Sequence, residues 1–329
     1  MKVFENIPLK EYTTFGIDVK ARRMVVLEPG DEVPQLEGEV LVLGGGSNMV
    51  FTKDYEGTVI ILSRNPSNQA IKQSGNLVTA WGGIVMDDLV QWTLDNGLYG
   101  LENLSAIPGT VGASVVQNVG AYGAEAKDFV ESVEVYDLKE RHLCSFTNSD
   151  CHFAYRDSFF KQHPNRFLVL HVVYRLRKEY TPNLSYKALE GLPHVTAQQL
   201  RESITDLRWS KLPRPEEHGS AGSFFKNPVV DESTYLRLKK EYLDMPEAHK
   251  VFDFRFSVYS YKLSAGWLID RAGWKGYTKG GAGVWPKNAL VLYNVGGCTG
   301  ADVVSLYQAI QQDVEQKFGV TLDPEAIII

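Results

Sequence analysis

The chain has 329 residues, 44% of them hydrophobic and 22% charged, with a formal net charge of -6. Length and composition are those of an ordinary soluble globular protein with two or three domains and ample core. The negative charge excludes a general nucleic-acid surface and leaves room only for a local basic pocket that takes a phosphorylated ligand.

The N-terminus lacks the long apolar core of a signal peptide. Tyr12–Asp18 reads as a polar turn leading into a strand, and Val40–Leu43 as a short apolar strand that enters Gly44-Gly-Gly-Ser-Asn48. This is not a Rossmann start. Met49 stands where a third small residue is wanted, and the next segment, Thr58–Leu62, is rich in β-branched residues and predicts a strand where a helix is needed. Gly44–Asn48 is then either a turn that offers N–H groups to a phosphate or a tight hairpin.

Val78–Trp81 predicts a strand. Met86–Asn96 predicts a helix, with Met86, Leu89, Val90 and Thr93 on one face and Gly97 as its stop. The stretch Ile107–Gly123 follows, with four glycines at 109, 112, 120 and 123. Its Gly-x-x-Gly-Ala step can open a short helix whose free N–H groups face an anion, and a turn at Asn118–Gly123 folds the backbone back. A dinucleotide pyrophosphate suits such a cradle, and a structural turn is the competing reading. Downstream, Ser132–Asp137 and Phe167–Arg175 predict strands, Lys178–Pro193 a polar loop and Val195–Leu207 a helix. Lys211–His218 is a proline-rich junction, and Ser264–Gly273 a short helix before a Gly-rich turn. Ala289–Asn294 predicts a strand. Thr299 caps an amphipathic helix with Val303, Leu306, Tyr307, Ile310, Val314 and Phe318 on one face and Gly319 at its end. Pro324–Ile329 is a terminal strand.

Cys144, Cys151 and Cys298 cannot all pair within one chain and show no metal spacing, which points to reduced thiols in a cytoplasmic enzyme without a metal. The longest apolar-rich run, Phe167–Tyr174, is far too short to span a bilayer. No Walker A motif, His-Glu-x-x-His or Gly-x-Ser-x-Gly occurs. Three residues stand out instead. Ser223, between glycine and two aromatics, is a poor nucleophile without a neighbouring base but an adequate donor to a basic carbanion. Arg156 offers a fixed donor fork for a carboxylate. Glu325 can orient a substrate or share a proton. Each taken singly also fits a bland role: a cap, a surface ion pair, a strand-edge charge.

Thr14-Phe-Gly-Ile, Gly45-Gly-Ser-Asn, Ile107-Pro-Gly-Thr-Val-Gly-Ala, Gln117-Asn-Val-Gly-Ala-Tyr-Gly, Tyr155-Arg-Asp-Ser and Gly222-Ser-Phe-Phe-Lys-Asn-Pro occur in this order. Together they resemble the UDP-N-acetylenolpyruvoylglucosamine reductase (MurB) family, flavoenzymes of peptidoglycan precursor synthesis, in the type with a tyrosine substrate loop. Each motif is moderately specific, and six in order, over nearly the whole chain, are highly so.

The resemblance implies an α+β architecture, the vanillyl-alcohol-oxidase-like (PCMH-type) FAD-binding fold. Two α+β subdomains, 1–65 (joined by the strand 324–329) and 66–208, would hold FAD, and a C-terminal α+β domain, 209–323, would bind substrate. The implied cofactor contacts are Gly44, Gly45, Gly46, Ser47 and Asn48, then Pro108, Gly109, Thr110, Gly112, Ala113, Gln117, Asn118, Gly120, Ala121, Tyr122 and Gly123. No histidine lies in either cradle, so the FAD is expected to be non-covalent. Ser223 would be the proton donor, with Arg156 and Glu325 acting at the enolpyruvyl carboxylate. Tyr155, Tyr186, Lys211 and Asn227 would contact the sugar nucleotide.

The implied reaction passes a hydride from NADPH to FAD and then to the methylene carbon of UDP-N-acetylglucosamine enolpyruvate, giving UDP-N-acetylmuramate for cell-wall synthesis, and with it cell shape and division. A cytoplasmic monomer is expected. Two alternatives are another FAD oxidoreductase of the same fold, such as an alcohol oxidase, and a non-catalytic nucleotide-sugar sensor. Ser220, in Gly219-Ser-Ala-Gly-Ser223, competes with Ser223 on composition; the following Phe-Phe-Lys-Asn-Pro separates them, and the two aromatics are expected to bury that end of the loop and fix the Ser223 hydroxyl against a dry cleft.

Overall fold

The computed structural model describes residues 1–64, 70–192, 195–253 and 258–329. The expected subdomain boundary at 65–66 and the expected loop end at Pro193 lie outside the described residues. The chain divides into two compact units. The first comprises Met1–Ile7, Ala21–Gly45 and Glu56–Arg208, the second Pro8–Lys20, Gly46–Tyr55 and Trp209–Ile329.

The first unit holds two sheets. One has the order Lys2–Pro8, Lys20–Leu27, Tyr55–Leu62, Val40–Val42, and its last two strands run parallel, with Val40 opposite Thr58. The other is antiparallel, in the order His142–Thr147, Val130–Asp137, Phe167–Arg175, Leu77–Trp81, Ile71–Ser74. Phe167–Arg175 keeps its expected bounds and lies at the sheet's centre, which explains its almost continuous apolar run. The helices are α1 (Met86–Asp95), α2 (Val111–Val116), α3 (Phe159–Gln162) and α4 (Ala197–Lys211). α1 buries Met86, Leu89, Val90 and Thr93, the expected face, and Gly97 follows at φ +66°. Tyr174 is fully buried, and its hydroxyl lies 3.5 Å from Ser114 Oγ, which ties α2 to the central strand. α4 runs four residues beyond the expected end at Leu207. Lys211, read as the start of a junction, is its last helical residue, because Pro213 is the first residue that cannot continue the helix.

The second unit holds an antiparallel sheet in the order Ser220–Ser223, Val291–Asn294, Ala282–Val284, Thr278–Lys279. A second, also antiparallel, has the order Val229–Asp231, Val258–Lys262, His249–Asp253. Its helices are α5 (Glu232–Glu241), α6 (Ala265–Arg271) and α7 (Gly300–Phe318). α7 starts on a capping box in which Thr299 Oγ1 accepts the Asp302 N–H and Asp302 Oδ2 accepts the Thr299 N–H. It buries Val303, Leu306, Ile310, Val314 and Phe318 and ends at Gly319 in the left-handed region. Tyr307, expected on that stripe, is only half-buried.

The hairpin reading of Gly44–Asn48 is excluded. The flanking strands do not pair with each other: Val40–Val42 pairs with Tyr55–Leu62, and Met49–Val50 pairs in parallel with Ile327–Ile328. Among the described residues no helix is long and apolar enough to cross a membrane.

Glu102 is a charged side chain inside the first unit, 2% exposed, with both carboxyl oxygens 2.9 Å from the Gly100 nitrogen. Burial raises its pKa, against the opposing pull of the Gly100 N–H. A raised carboxyl pKa means that the fold prefers the neutral acid, so the linked stability is present at low pH and lost as pH rises through the folded-state value. Glu102→Gln keeps an acceptor for Gly100 and cannot ionise. Its melting temperature relative to the parent is expected to improve as pH rises from the ordinary carboxyl value of 4.5 towards neutrality and beyond. An offset that is constant with pH, or worse on the alkaline side, would contradict the assignment.

Candidate active site

In the first unit the two glycine-rich stretches meet. A Cβ on Gly45 would lie 2.5 Å from the Gly109 Cα, and one on Gly44 would lie 2.8 Å from the Ala113 Cβ. Gly45 therefore requires glycine for backbone-to-backbone approach, and Gly44 for the approach of the Ala113 methyl. Gly109 itself sits at φ +122°. Thr110 caps α2 by accepting the Ala113 N–H at 3.4 Å.

The expected anion site at the start of α2 needs correction. Val111 N–H donates to Ile84 O and Gly112 N–H to Gly82 O, both at 2.8 Å, so with Thr110 on Ala113 the first three helical N–H groups are taken. These donors dock the helix on the turn between the strand Leu77–Trp81 and α1 and are not open to a ligand. The available donors lie one step earlier: among the described residues the N–H groups of Gly45, Gly109 and Thr110 have no hydrogen-bond partner. Bare backbone with spare N–H groups and no Cβ in the way is a fit for a dinucleotide pyrophosphate, with these loop residues as its holders.

The second half of the stretch forms a tight hairpin, Gly120–Ala121 against Ala124–Glu125. Asn118, expected to touch the cofactor, is fully buried, and its amide is committed to the protein. Oδ1 accepts the Lys127 N–H at 3.1 Å, while Nδ2 donates to Ala154 O at 2.8 Å and to Glu125 Oε2 at 3.1 Å. It ties the hairpin to the Tyr155–Arg156 turn. Arg156 itself occupies φ +54°, donates through Nη2 to Gly120 O at 2.6 Å and lies 5.3 Å over the Tyr155 ring. The Tyr122 ring meets Tyr186 edge-on at 5.1 Å. Tyr155 and Tyr186 are exposed.

In the second unit a bulge sets the serine. Ser220 faces Tyr293 and Ser223 faces Val291, so three steps on one strand oppose two on the other, with Gly222 at φ +67° inside the bulge. Phe224 and Phe225 turn inward and are buried, whereas Ser223 is exposed. The aromatics were expected to seal the hydroxyl in a dry cleft. They seal only themselves, because the bulge breaks the strand's alternation before they begin. Glu325 lies alongside: its N–H donates to Phe224 O at 2.7 Å, and its carbonyl accepts Asn48 Nδ2 at 3.2 Å. Gly46 O accepts the Thr14 N–H at 3.2 Å, which joins two of the motif segments. Asn227 Oδ1 accepts the Ala265 N–H at 3.0 Å and so caps α6. Lys211 is exposed at the end of α4. Among the described residues no group of three or more His, Cys, Asp or Glu could hold a metal ion.

Three polar residues around the hairpin carried no motif. Buried Asn103 donates to Tyr122 O at 2.7 Å and to Asn183 O at 2.9 Å, and Asn183 donates to Gly123 O at 3.0 Å. Arg208 donates through Nε to Ala106 O at 3.1 Å. No pattern in the sequence singles them out: Asn103 sits in Leu101-Glu102-Asn103-Leu104, beside another polar residue.

A family model for the C-terminal domain of UDP-N-acetylenolpyruvoylglucosamine reductase matches residues 214–329, and one for an FAD binding domain matches residues 31–143. The chain is 42% identical to the UDP-N-acetylenolpyruvoylglucosamine reductase of Pseudomonas aeruginosa over 99% of this chain and 98% of the relative. It is 41% identical to that of Burkholderia ambifaria over 100% and 97%. Among solved structures, UDP-N-acetylenolpyruvylglucosamine reductase from Thermus caldophilus matches with a TM-score of 0.69 at 24% identity, covering 100% of this chain and 99% of that one. The likeness shows a shared fold, in accord with the expected α+β FAD-binding architecture.

The close approach at Gly45 yields a test. Gly45→Ala forces two backbones apart, an overpacking cost of roughly 1–3 kcal/mol, and should lower both the unfolding midpoint in urea and the flavin retained on purification. Gly191→Ala, with open space around the position, is the comparison. Identical behaviour of the two variants would remove the close-approach argument.

Proposed function

We propose a function from one premise: the chain belongs to the UDP-N-acetylenolpyruvoylglucosamine reductase family. On that premise it reduces the enolpyruvyl ether of UDP-N-acetylglucosamine to UDP-N-acetylmuramate, with FAD as bound cofactor and NADPH as co-substrate. The observation that carries the cofactor half is the Gly45–Gly109 cradle with its spare N–H groups. FAD, when bound, supplies hydride transfer from NADPH to the enol ether.

The chain's own residues do the rest. Negative charge grows on the carbon beside the carboxylate once the methylene carbon has received hydride. Arg156, held by Gly120 O, keeps a rigid fork that can meet that carboxylate, and Glu325 acts at the same group. Ser223 donates the proton that completes the lactyl ether. Its exposure favours this role, since the hydroxyl is open to an incoming ligand. Tyr155, Tyr186, Lys211 and Asn227 contact the sugar nucleotide. Asn227 keeps its amide hydrogens for that purpose, because Oδ1 alone serves α6. Gly44–Asn48 and Pro108–Gly123 form the pyrophosphate site: Gly45, Gly109 and Thr110 offer their N–H groups, while α2 and Asn118 shape the loop.

The same reading places the enzyme in the cytoplasm as a monomer that serves peptidoglycan synthesis, and divides it into FAD-binding parts at 1–65 and 66–208 and a substrate-binding part at 209–323. An alcohol oxidase of the same fold and a non-catalytic sensor are set aside on the family membership.

Acid precipitation should release the flavin into the supernatant, and yellow colour kept in the pellet would contradict non-covalent binding. Ser223→Ala should slow flavin reoxidation by the enolpyruvyl sugar nucleotide by ~10²–10⁴-fold, the usual worth of a general acid, and leave reduction by NADPH intact. Ser220→Ala should behave as the parent. Rapid mixing of each variant with the two substrates in turn decides, and the reverse pattern would move the role to Ser220.

A further inference from the structure

The turn that carries Arg156 is held at each of its residues. Ala154 and Asp157 exchange backbone hydrogen bonds at 3.0 and 3.2 Å, so Tyr155 and Arg156 form a two-residue loop between them. Arg156 sits in that loop at φ +54°, a conformation that a residue other than glycine keeps only where its surroundings impose it. Asn118 Nδ2 holds the Ala154 carbonyl at 2.8 Å. Asp157 is held through both carboxyl oxygens, Oδ1 by the Ser158 N–H and Oδ2 by Gln162 Nε2, each at 2.9 Å. The Arg156 carbonyl is taken by Lys161, whose Nζ donates to it at 2.7 Å.

Lys161 reaches back to the turn for a structural reason. It is the third residue of α3, and helical side chains lean toward the N-terminus of their helix. Its own backbone is fixed by Ser158, whose Oγ accepts the Lys161 N–H at 3.2 Å and donates to Val116 O, at the end of α2, at 2.7 Å. Phe160 is 3% exposed and locks α3 into an aromatic cluster, with its ring 5.1 Å from Phe146 and 5.8 Å from Phe167. The lysine therefore rises from a rigid base. α3 has only four residues, too few for a cation in its last turn to serve a helix dipole. Its ammonium serves the carbonyl instead, through a charge-assisted hydrogen bond stronger than a neutral one. At the other end of the arginine, Nη2 donates to Gly120 O at 2.6 Å. Lys161 holds the backbone of Arg156 and the Gly120–Glu125 hairpin holds its guanidinium, so the two together set where the fork points.

We propose that Lys161 is a positioning residue for the reduction of the enol ether: by pinning the Arg156 carbonyl it aims the guanidinium at the substrate carboxylate. The proposal rests on the reading of Arg156 as the fork that meets that carboxylate. Lys161 itself touches neither substrate nor flavin.

The test is anaerobic rapid mixing of the flavin-loaded enzyme, first with NADPH and then with UDP-N-acetylglucosamine enolpyruvate at several concentrations. Lys161→Met keeps most of the side chain's length and removes the donor. It is expected to lower the limiting rate of flavin reoxidation roughly ten- to hundredfold, the worth of a hydrogen bond to a charged group. The half-saturating concentration should change little, and reduction by NADPH not at all. Lys161→Arg supplies a cationic donor again and should recover most of the rate. In an Arg156→Gln background Lys161→Met should cost little more, because the fork that it aims is already gone. Unchanged reoxidation in Lys161→Met would overturn the proposal, as would no recovery in Lys161→Arg. Equal slowing of both half-reactions would make the role a structural one, and a higher half-saturating concentration at the parent's limiting rate would make Lys161 a direct contact of the sugar nucleotide. A full further loss in the Arg156→Gln background would show that Lys161 acts independently of Arg156, and each of these results defeats the proposal. Should Lys161→Met not fold, Lys161→Gln, which is too short to reach the carbonyl, replaces it and is read in the same way. Parent enzyme that the sugar nucleotide cannot reoxidise would defeat the functional reading itself, an outcome distinct from a normal parent with unaffected variants.

Discussion

The constraint on which the rest of the first unit depends is the contact between Gly45 and Gly109, where backbone meets backbone and no side-chain carbon fits. Two loops from distant parts of the sequence can share one surface only under this condition. It also dictates the docking of α2. With Gly109 pressed against Gly45, Val111 and Gly112 turn their N–H groups to Ile84 and Gly82 in the turn after the strand Leu77–Trp81, and the donors of the preceding residues remain for a ligand. A helix of six residues has little dipole to offer an anion, and this cradle works by loop backbone instead.

The strain that accompanies such a loop is held locally. Ala106, Asn118, Tyr122 and Arg156 are non-glycine residues at positive φ. Each has identifiable restraints: Asp87 and Arg208 on Ala106, the buried amide of Asn118 on its own surroundings, Asn103 on the Tyr122 carbonyl, and Lys161 on the Arg156 carbonyl. Residues in such conformations cost of order 1–3 kcal/mol each, and they persist where neighbours over-determine them. In the second unit the same economy appears as the Gly222 bulge, which turns Ser223 outward while Phe224 and Phe225 anchor the strand.

Much of this was legible in the sequence wherever one residue acts through its own local chemistry. The capping box at Thr299, the stop at Gly319, the buried face of α1 and the central strand Phe167–Arg175 all stand as their patterns predict. The glycines of the cradle were legible as places of close approach. What they approach was not, because Gly45 and Gly109 are joined only by the fold. For the same reason the donors at the start of α2 were misassigned: their competitors, Ile84 and Gly82, lie on another segment. Asn103, Asn183 and Arg208 escaped notice because a structural hydrogen bond to a carbonyl leaves no spacing rule in the chain. The exposure of Ser223 follows from a bulge whose register is set by the partner strand Val291–Asn294.

The central claim is that this chain carries hydride from NADPH to the enolpyruvyl sugar nucleotide through a flavin held by glycine-rich backbone. The most direct measurement is the absorbance spectrum of the purified protein under anaerobic conditions, recorded before and after NADPH and again after UDP-N-acetylglucosamine enolpyruvate. The account predicts a flavin spectrum that bleaches with NADPH and returns with the sugar nucleotide, without oxygen. A colourless protein that takes up no FAD, or a flavin that bleaches with an alcohol and returns only with oxygen, would contradict it.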